Sequence, residues 1–496
     1  MDRETNSTNR NKKIFWAFVF SFFAVLILPR LISQDMFLDG MTYAAIARNQ
    51  SENRGGFWNP HYSETIYPVF FEQPPLGIWL QSLAFRIFGD SPDVEFLWGV
   101  GCGLIILLLL FAIWRTIIQD HLPAPGEWWP ACIFLAIPLT SWTLANNLLE
   151  NTMTCFILLG AWTGLRALLS STRIAQAAWA AFSGLMLAMA ILTKGLPAAF
   201  ILAIPIAAAT LRKRPLGPAL RVTAMMALVS LFTLWIVLKC GGEPAVHFVK
   251  HYVSNQLIRS LKGQRETSIS QFFLLKKLFM ELLLPVLLCI VLTFLMRKHN
   301  PGTNTTQRPD NKNAAIFLSI AMMASLPLLI SPKQLGWYLF PSLPFWAMGI
   351  AAVFPLPALK IEASIADRPG RSKKAAFVSL ILFIIAAGGT LLFKGKMVLR
   401  NKELFADMDY RSGMLPQGQK ITVYPRTLVS DWFVVAYMQR FLKASLTAEV
   451  GNPYCLVDGS AGGDVAPLGC HPLSAKKVQK YFLCVNDRPD EKPLKQ

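Results

Sequence analysis

Eleven apolar runs, most of them close to 20 residues long, follow one another along this chain with short polar or charged connections between them. A helix of about 20 apolar residues crosses roughly 30 Å of hydrocarbon, and inside a bilayer a chain built this way satisfies its backbone only as helices. The runs fall at 14–32, 96–118, 128–147, 151–169, 175–193, 197–211, 220–240, 275–296, 313–330, 335–353 and 375–393. Of all residues, 53% are hydrophobic and 16% charged, against about 25% charged in soluble domains. The expected fold class is an α-helical polytopic membrane protein with about 11 transmembrane helices.

The net charge of +19 is a matter of orientation rather than of nucleic acid. Lys and Arg cluster in short loops between the runs, and no basic stripe with interleaved aromatics lies on a soluble domain, so nucleic acid is excluded as a partner. With the N-terminus in the cytoplasm, the inside loops receive Arg115, then Arg166 and Arg173, then Arg212 to Arg221, then Arg297, then Lys360 and Lys374. Every short inside loop is positive, as orientation by basic residues requires. The first run follows Arg10, Lys12 and Lys13 without a small-residue cleavage site, and reads as an uncleaved first span.

An odd number of crossings divides the chain into a membrane domain, 1–393, and an outer domain, 394–496. Strand-like runs at 421–424 and 432–437 predict a small α/β fold for the latter. Three of the eight cysteines, Cys455, Cys470 and Cys484, fall there, and in an oxidising compartment two of them are expected to pair. Cys470 next to His471 suggests a metal site, but no second pair at zinc spacing accompanies it, so the structural reading is preferred.

Two outer segments are more than simple loops. The stretch 74–88, within the first, is too short to span and carries Gln81 and Arg86; an interfacial helix is predicted. The second, 241–273, carries Lys250, Arg259, Lys262 and Arg265 on the side that should be poor in them. An anionic ligand gives that charge a purpose; topology already fixed by other loops is the plain alternative.

The ionisable residues at span ends converge on this outer side. Asp39 follows the first span in FLDGMTYAAIAR, Glu72 sits in FEQPPLGIWL and Glu150 in LLENTMTCF. Each alone reads as a cap or a complement to a helix dipole. Lys194, in ILTKGLPA, and Lys333, in SPKQLGWYLFPSLP, sit at outer hairpin turns. Snorkelling explains either lysine; together with Arg259 they also suit a phosphate. Trp337 and Tyr338 lie at interfacial depth, where aromatics are common.

Taken together, FLDGMTYAAIAR, FEQPPLGIWL with Phe88–Gly89, ENTMTCF, LTKG and the Tyr-Leu-x-Pro of SPKQLGWYLFPSLP resemble the superfamily of protein O-mannosyltransferases and lipid A aminoarabinose transferases, over about residues 14–353. The resemblance implies a class C glycosyltransferase fold with interfacial helices in the first outer loop. It further implies a multi-pass enzyme of the bacterial inner membrane with its C-terminal domain in the periplasm. Such an enzyme transfers a sugar from a polyprenyl-phosphate donor to a lipid, glycan or protein acceptor, among membrane lipids. Asp39 would be the general base, and Glu150 a second catalytic carboxylate orienting donor or acceptor. Lys194, Arg259 and Lys333 would bind the phosphate, and Glu72 and Tyr338 match residues that hold a divalent metal in aminoarabinose transferases. Here Gln73 replaces a lysine common in the superfamily, and Asn255 and Gln256 stand where aminoarabinose transferases have a histidine, which leaves the metal open.

A transporter or flippase of a lipid-linked saccharide is the alternative. Transporters place charge near the midplane on broken helices and show internal repeats; no repeat is evident in this sequence, and its spans read as lacking acidic residues in their middles.

Overall fold

The computed structural model describes residues 2–33, 36–118, 125–259, 262, 272–299, 311–366, 369–393, 401–408, 415–416, 418–461, 470–473 and 480–486. Arg265 and the domain junction at 394–400 lie outside the described residues, as does the side chain of Cys470.

The helices run α1 (Asp2–Ile27), α2 (Leu38–Ser51), α3 (Leu76–Phe88), α4 (Pro92–Ile118), α5 (Trp128–Ala136), α6 (Pro138–Ala145), α7 (Leu149–Leu169), α8 (Arg173–Lys194) and α9 (Ile204–Leu211). They continue as α10 (Leu216–Tyr252), α11 (Phe273–His299), α12 (Asn311–Ser325), α13 (Leu343–Val353), α14 (Leu356–Ala366), α15 (Pro369–Phe393), α16 (Lys402–Met408) and α17 (Trp432–Leu442). Among the described residues eight helices are long and apolar enough to cross a membrane, or ten if each of two bent pairs counts as one span. The remaining run, 197–211, is a 3₁₀ helix, Leu196–Ala203, continued by α9, each of 8 residues. At about 2.0 Å per 3₁₀ residue and about 1.5 Å per α residue these pieces reach roughly 28 Å, close to the hydrocarbon thickness. As expected, α3 is too short to span.

The chain divides into two compact units. The helical unit comprises 1–30, 72–77 and 99–392. Small residues let its helices approach closely, as they do between membrane helices generally. A methyl group at Gly184 of α8 would lie 2.5 Å from the carbonyl oxygen of Met226 on α10, and Ser183 donates to the Gly160 carbonyl of α7 at 2.7 Å. Among the breaks in this unit, two bear on the site. Between α5 and α6 the axis turns by 77°, because Ile137 is extended and Pro138 starts a new helix. α10 kinks at Gly242 (φ 59°, ψ −145°), two residues before Pro244. At 37 residues α10 is about 55 Å long, so its portion beyond the kink supplies the start of the basic segment 241–273.

The mixed unit comprises 31–71, 78–98 and 393–496, so first-loop segments cluster with the C-terminal tail. Its five-stranded sheet has the order β2 (Ser445–Thr447), β1 (Lys420–Tyr424), β3 (Tyr454–Asp458), β5 (Tyr481–Asn486), β4 (Cys470–Pro472). β1 pairs in parallel with β2 and β3, whereas β5 runs antiparallel to β3 and β4. Residues 421–424 form a strand as expected, but 432–437 do not: they begin helix α17. Asp431 accepts from the backbone N–H groups of Phe433 and Val434 at 3.0 and 3.3 Å, an N-cap that starts the helix. The short apolar run could not be told from a strand by pattern alone. Cys484 is disulfide-bonded and Cys455 is a free, buried thiol.

Arg440 of α17, 2% exposed, anchors this unit. Its guanidinium holds both carboxylate oxygens of Glu95 at 2.9 and 3.0 Å and Asp90 at 2.7 Å. Its carbonyl accepts from Arg48 of α2 at 2.8 Å. Burial opposes charge on Asp90, but Arg440 and Arg48 outweigh it and hold its carboxyl below the ordinary value. Burial, with Arg440 beside it, pushes Arg48 down to about 10. Thr65 donates to the Leu446 carbonyl at 2.6 Å and the Ser445 hydroxyl accepts from the Glu64 N–H at 3.0 Å, so strand β2 and the first loop are joined by hydrogen bonds as well as by charge.

Candidate active site

α7 and α8 are joined by residues 170–172, so the start of α7 and the end of α8 meet. Leu148 is extended (φ −80°, ψ 145°) and Glu150 lies in the first turn of α7, where unbonded N–H groups favour a carboxylate. Lys194 lies in the last turn of α8, where free carbonyls favour a cation. Lys194 Nζ is 2.7 Å from Glu150 Oε1, with the two side chains 8% and 0% exposed. The ring of Tyr338 faces this ammonium at 5.6 Å, within reach of a cation–π contact. Tyr338 is carried by the 3₁₀ helix Gly336–Ser342.

Two glycines make the cluster possible. Gly195 (φ 95°, ψ −157°) ends α8 in a region essentially restricted to glycine, and a Cβ there would sit 2.6 Å from the Tyr252 hydroxyl. A Cβ on Gly77 would lie 2.9 Å from both Leu149 and Thr193. The segment 72–77 therefore packs on the residues flanking the ion pair. Glu72 at its start accepts a hydrogen bond from the Gln256 side-chain amide. Gln256 belongs to the π-helical turn Val253–Ile258 that continues α10, a geometry that recurs at functional sites.

A second buried carboxylate braces the neighbouring turn. Glu281 of α11, 5% exposed, accepts from the Leu139 N–H at 2.7 Å and pairs with Lys277 at 2.7 Å. It thereby satisfies the start of α6 at the 77° break. The Lys277 stem lies 3.2 Å from where a Cβ of Gly336 would be, and Trp337 contacts Trp142 of α6 at 5.6 Å between ring centroids. The expectation that the middles of the spans lack acidic residues is thus corrected at Glu281: a helix break in one span leaves amide donors that a carboxylate from another span can cap.

The structure brings Glu150, Lys194 and Tyr338 together, with the Glu72 segment packed beside them. Lys333 is half-buried just ahead of the Gly336 turn, its carbonyl accepting from the Ser331 hydroxyl at 3.1 Å. Arg259 is exposed and follows the π-helical turn. Asp39 lies in the first turn of α2 and belongs to the mixed unit. Sequence reasoning missed Tyr252, Glu281 and Lys277 and noted Gln256 only as a departure; the one local signal was glycine directly after Lys194.

The donor set does not fit a divalent metal. The Glu72 carboxylate is engaged by a carboxamide and Tyr338 faces an ammonium. Among the described residues no three His, Cys, Asp or Glu side chains gather in a way that could hold a metal ion.

Residues 72–238 match the dolichyl-phosphate-mannose-protein mannosyltransferase family, a stretch that includes Glu72, Glu150 and Lys194. The fold is similar to that of ArnT from Cupriavidus metallidurans bound to undecaprenyl phosphate, with a TM-score of 0.59 and 14% identity, covering 95% of this chain and 97% of that one. The apo structure of the same protein matches with a TM-score of 0.59 and 12% identity over the same shares. The archaeal oligosaccharyltransferase AglB from Archaeoglobus fulgidus, in complex with an inhibitory peptide and a dolichol-phosphate, gives a TM-score of 0.47 at 12% identity, covering 90% of this chain and 69% of that one. No curated protein matches in sequence. The chain is an integral membrane protein with an ArnT-like fold.

Proposed function

We propose that this protein transfers a sugar from a polyprenyl-phosphate donor to an envelope acceptor (lipid A, a glycan or a protein) at the outer face of a bacterial inner membrane. The observation that carries the reading is the buried Lys194–Glu150 pair under Tyr338, packed against the Glu72 segment within the stretch that matches the mannosyltransferase family. A buried ion pair inside a membrane domain is costly and calls for a function.

The leaving group in such a reaction is a phosphate, which departs without a proton when cations stabilise its charge. An ammonium has three donors, so the phosphate shares Lys194 with Glu150, and Arg259 and Lys333 add charge from the flanking turns. Glu150 fixes where Lys194 points. Only the acceptor hydroxyl then needs a base, and Asp39 is assigned to it. Attack opposite the departing phosphate inverts the anomeric centre.

Incubating the purified protein in vesicles with a labelled polyprenyl-phosphate sugar and an envelope extract tests this. The expected result is label on an acceptor together with free polyprenyl phosphate. Labelled donor that crosses the vesicle unchanged would establish the transporter instead.

A further inference from the structure

Arg173 and Gln176, from the first turn of α8, share a cavity of about 270 Å³ with Arg221 of α10. Both helices are long and apolar enough to cross a membrane, and all three residues lie near their N-terminal ends. Ala180, Val222 and Met225 complete an apolar floor.

Arginines at span ends ordinarily set orientation and diverge into water. These two instead converge from separate helices on one hollow, and neither forms an ion pair among the described residues. Guanidinium presents a planar fork of donors matched to phosphate oxygens, and the start of α8 adds N–H groups that favour an anion. Basic hollows between membrane helices on the inner face suit anionic headgroups.

The geometry points to a structural site for one anionic phospholipid, its phosphate held by Arg173 and Arg221 and its acyl chain lying over Ala180, Val222 and Met225. On the orientation set by the basic loops this site faces the inner leaflet, opposite Glu150 and Lys194. Free phosphate shares the headgroup chemistry but has no use for the apolar floor of Ala177, Ala180, Val222 and Met225, so the phospholipid is the occupant.

The test is native mass spectrometry of the whole protein released from mixed phosphatidylglycerol and phosphatidylcholine vesicles. Wild type is expected to retain one phosphatidylglycerol in preference to phosphatidylcholine. Arg173→Gln/Arg221→Gln is expected to reduce that preference roughly thirtyfold, at about 1 kcal/mol for each basic residue near an anionic surface. Because these side chains are exposed, the variant is expected to fold, which its size-exclusion profile checks. Equal retention by wild type and variant would overturn the site, as would equal retention of the two lipids by wild type. Stabilisation by inorganic phosphate in detergent, without phosphatidylglycerol retention, would overturn the lipid assignment in favour of a soluble anion.

Discussion

Glu150→Gln would remove the carboxylate 2.7 Å from Lys194 and leave an ammonium that is 8% exposed. Breaking a buried ion pair from one side costs about 3–5 kcal/mol. The carbonyl end of α8 offsets about 0.3–1 kcal/mol of that for the remaining cation, so the expected loss of stability is about 2–5 kcal/mol. Lys194→Met should cost a similar amount, since it removes the ammonium paired with a fully buried carboxylate at the N-terminal end of α7. The double variant Glu150→Gln/Lys194→Met removes both charges, and such replacements are close to neutral. The cycle should therefore show a coupling of about 3 kcal/mol or more. Denaturant titration in detergent micelles reads the stabilities, and the vesicle transfer assay is run on the same preparations. A pair that only braces the fold would give a double variant that is both stable and active. A pair that handles the phosphate gives one that is stable and inactive. Additive single losses would refute the burial argument, and wild-type transfer by the double variant would refute the catalytic one.

Gly195→Ala forces a side chain into a backbone region essentially restricted to glycine and against the Tyr252 hydroxyl; a loss of about 1–3 kcal/mol is expected. Tyr252→Phe in the same chain should recover part of it, and thermal melts check both. In the mixed unit the Asp90 carboxyl is held below its ordinary 3.8, so its contribution is complete above that value and vanishes as pH falls through the lowered one. Stability of this unit should be flat from neutral pH down to about 5 and then decline, with Asp90→Asn blunting the decline in a pH series of melts. EDTA should leave sugar transfer unchanged, because Glu72 and Tyr338 are engaged by Gln256 and Lys194; activity lost on chelation and restored by an added divalent ion would contradict that. Lys333→Cys, in a background without exposed native cysteines, should be modified from outside intact cells by an impermeant thiol reagent, and labelling only after lysis would reverse the topology.

The hydrophobic runs located the helices long and apolar enough to span, because an apolar stretch with no polar interruption has few alternatives in a bilayer. They located breaks less well. Pro138 marks one, and Gly242 with Pro244 and Gly195 with Pro197 mark two more, but Gly and Pro alone do not say whether a run kinks, unwinds to 3₁₀ or ends. Glu150 and Lys194 were legible because charge at the end of an apolar run stands out, and LTKG even announced the turn that aims the lysine. Gln256 and Glu281 were not. An amide is chemically quiet in sequence, and Glu281 looked like part of a span until its partner, the buried N–H of Leu139 at a helix break 142 residues away, was in place. The 432–437 helix was misread for a related reason: its cap, Asp431, outweighs a β-like composition. The clustering of the tail with the first loop depends on Arg440, whose partners lie 345 and more residues earlier in the chain.

Asp39→Asn in the vesicle assay is the most direct test of sugar transfer by this protein. A general base contributes about 10²–10⁴-fold, so the account predicts a fall in kcat of that order with membrane insertion and stability unchanged. Transfer at the wild-type rate by Asp39→Asn would contradict it.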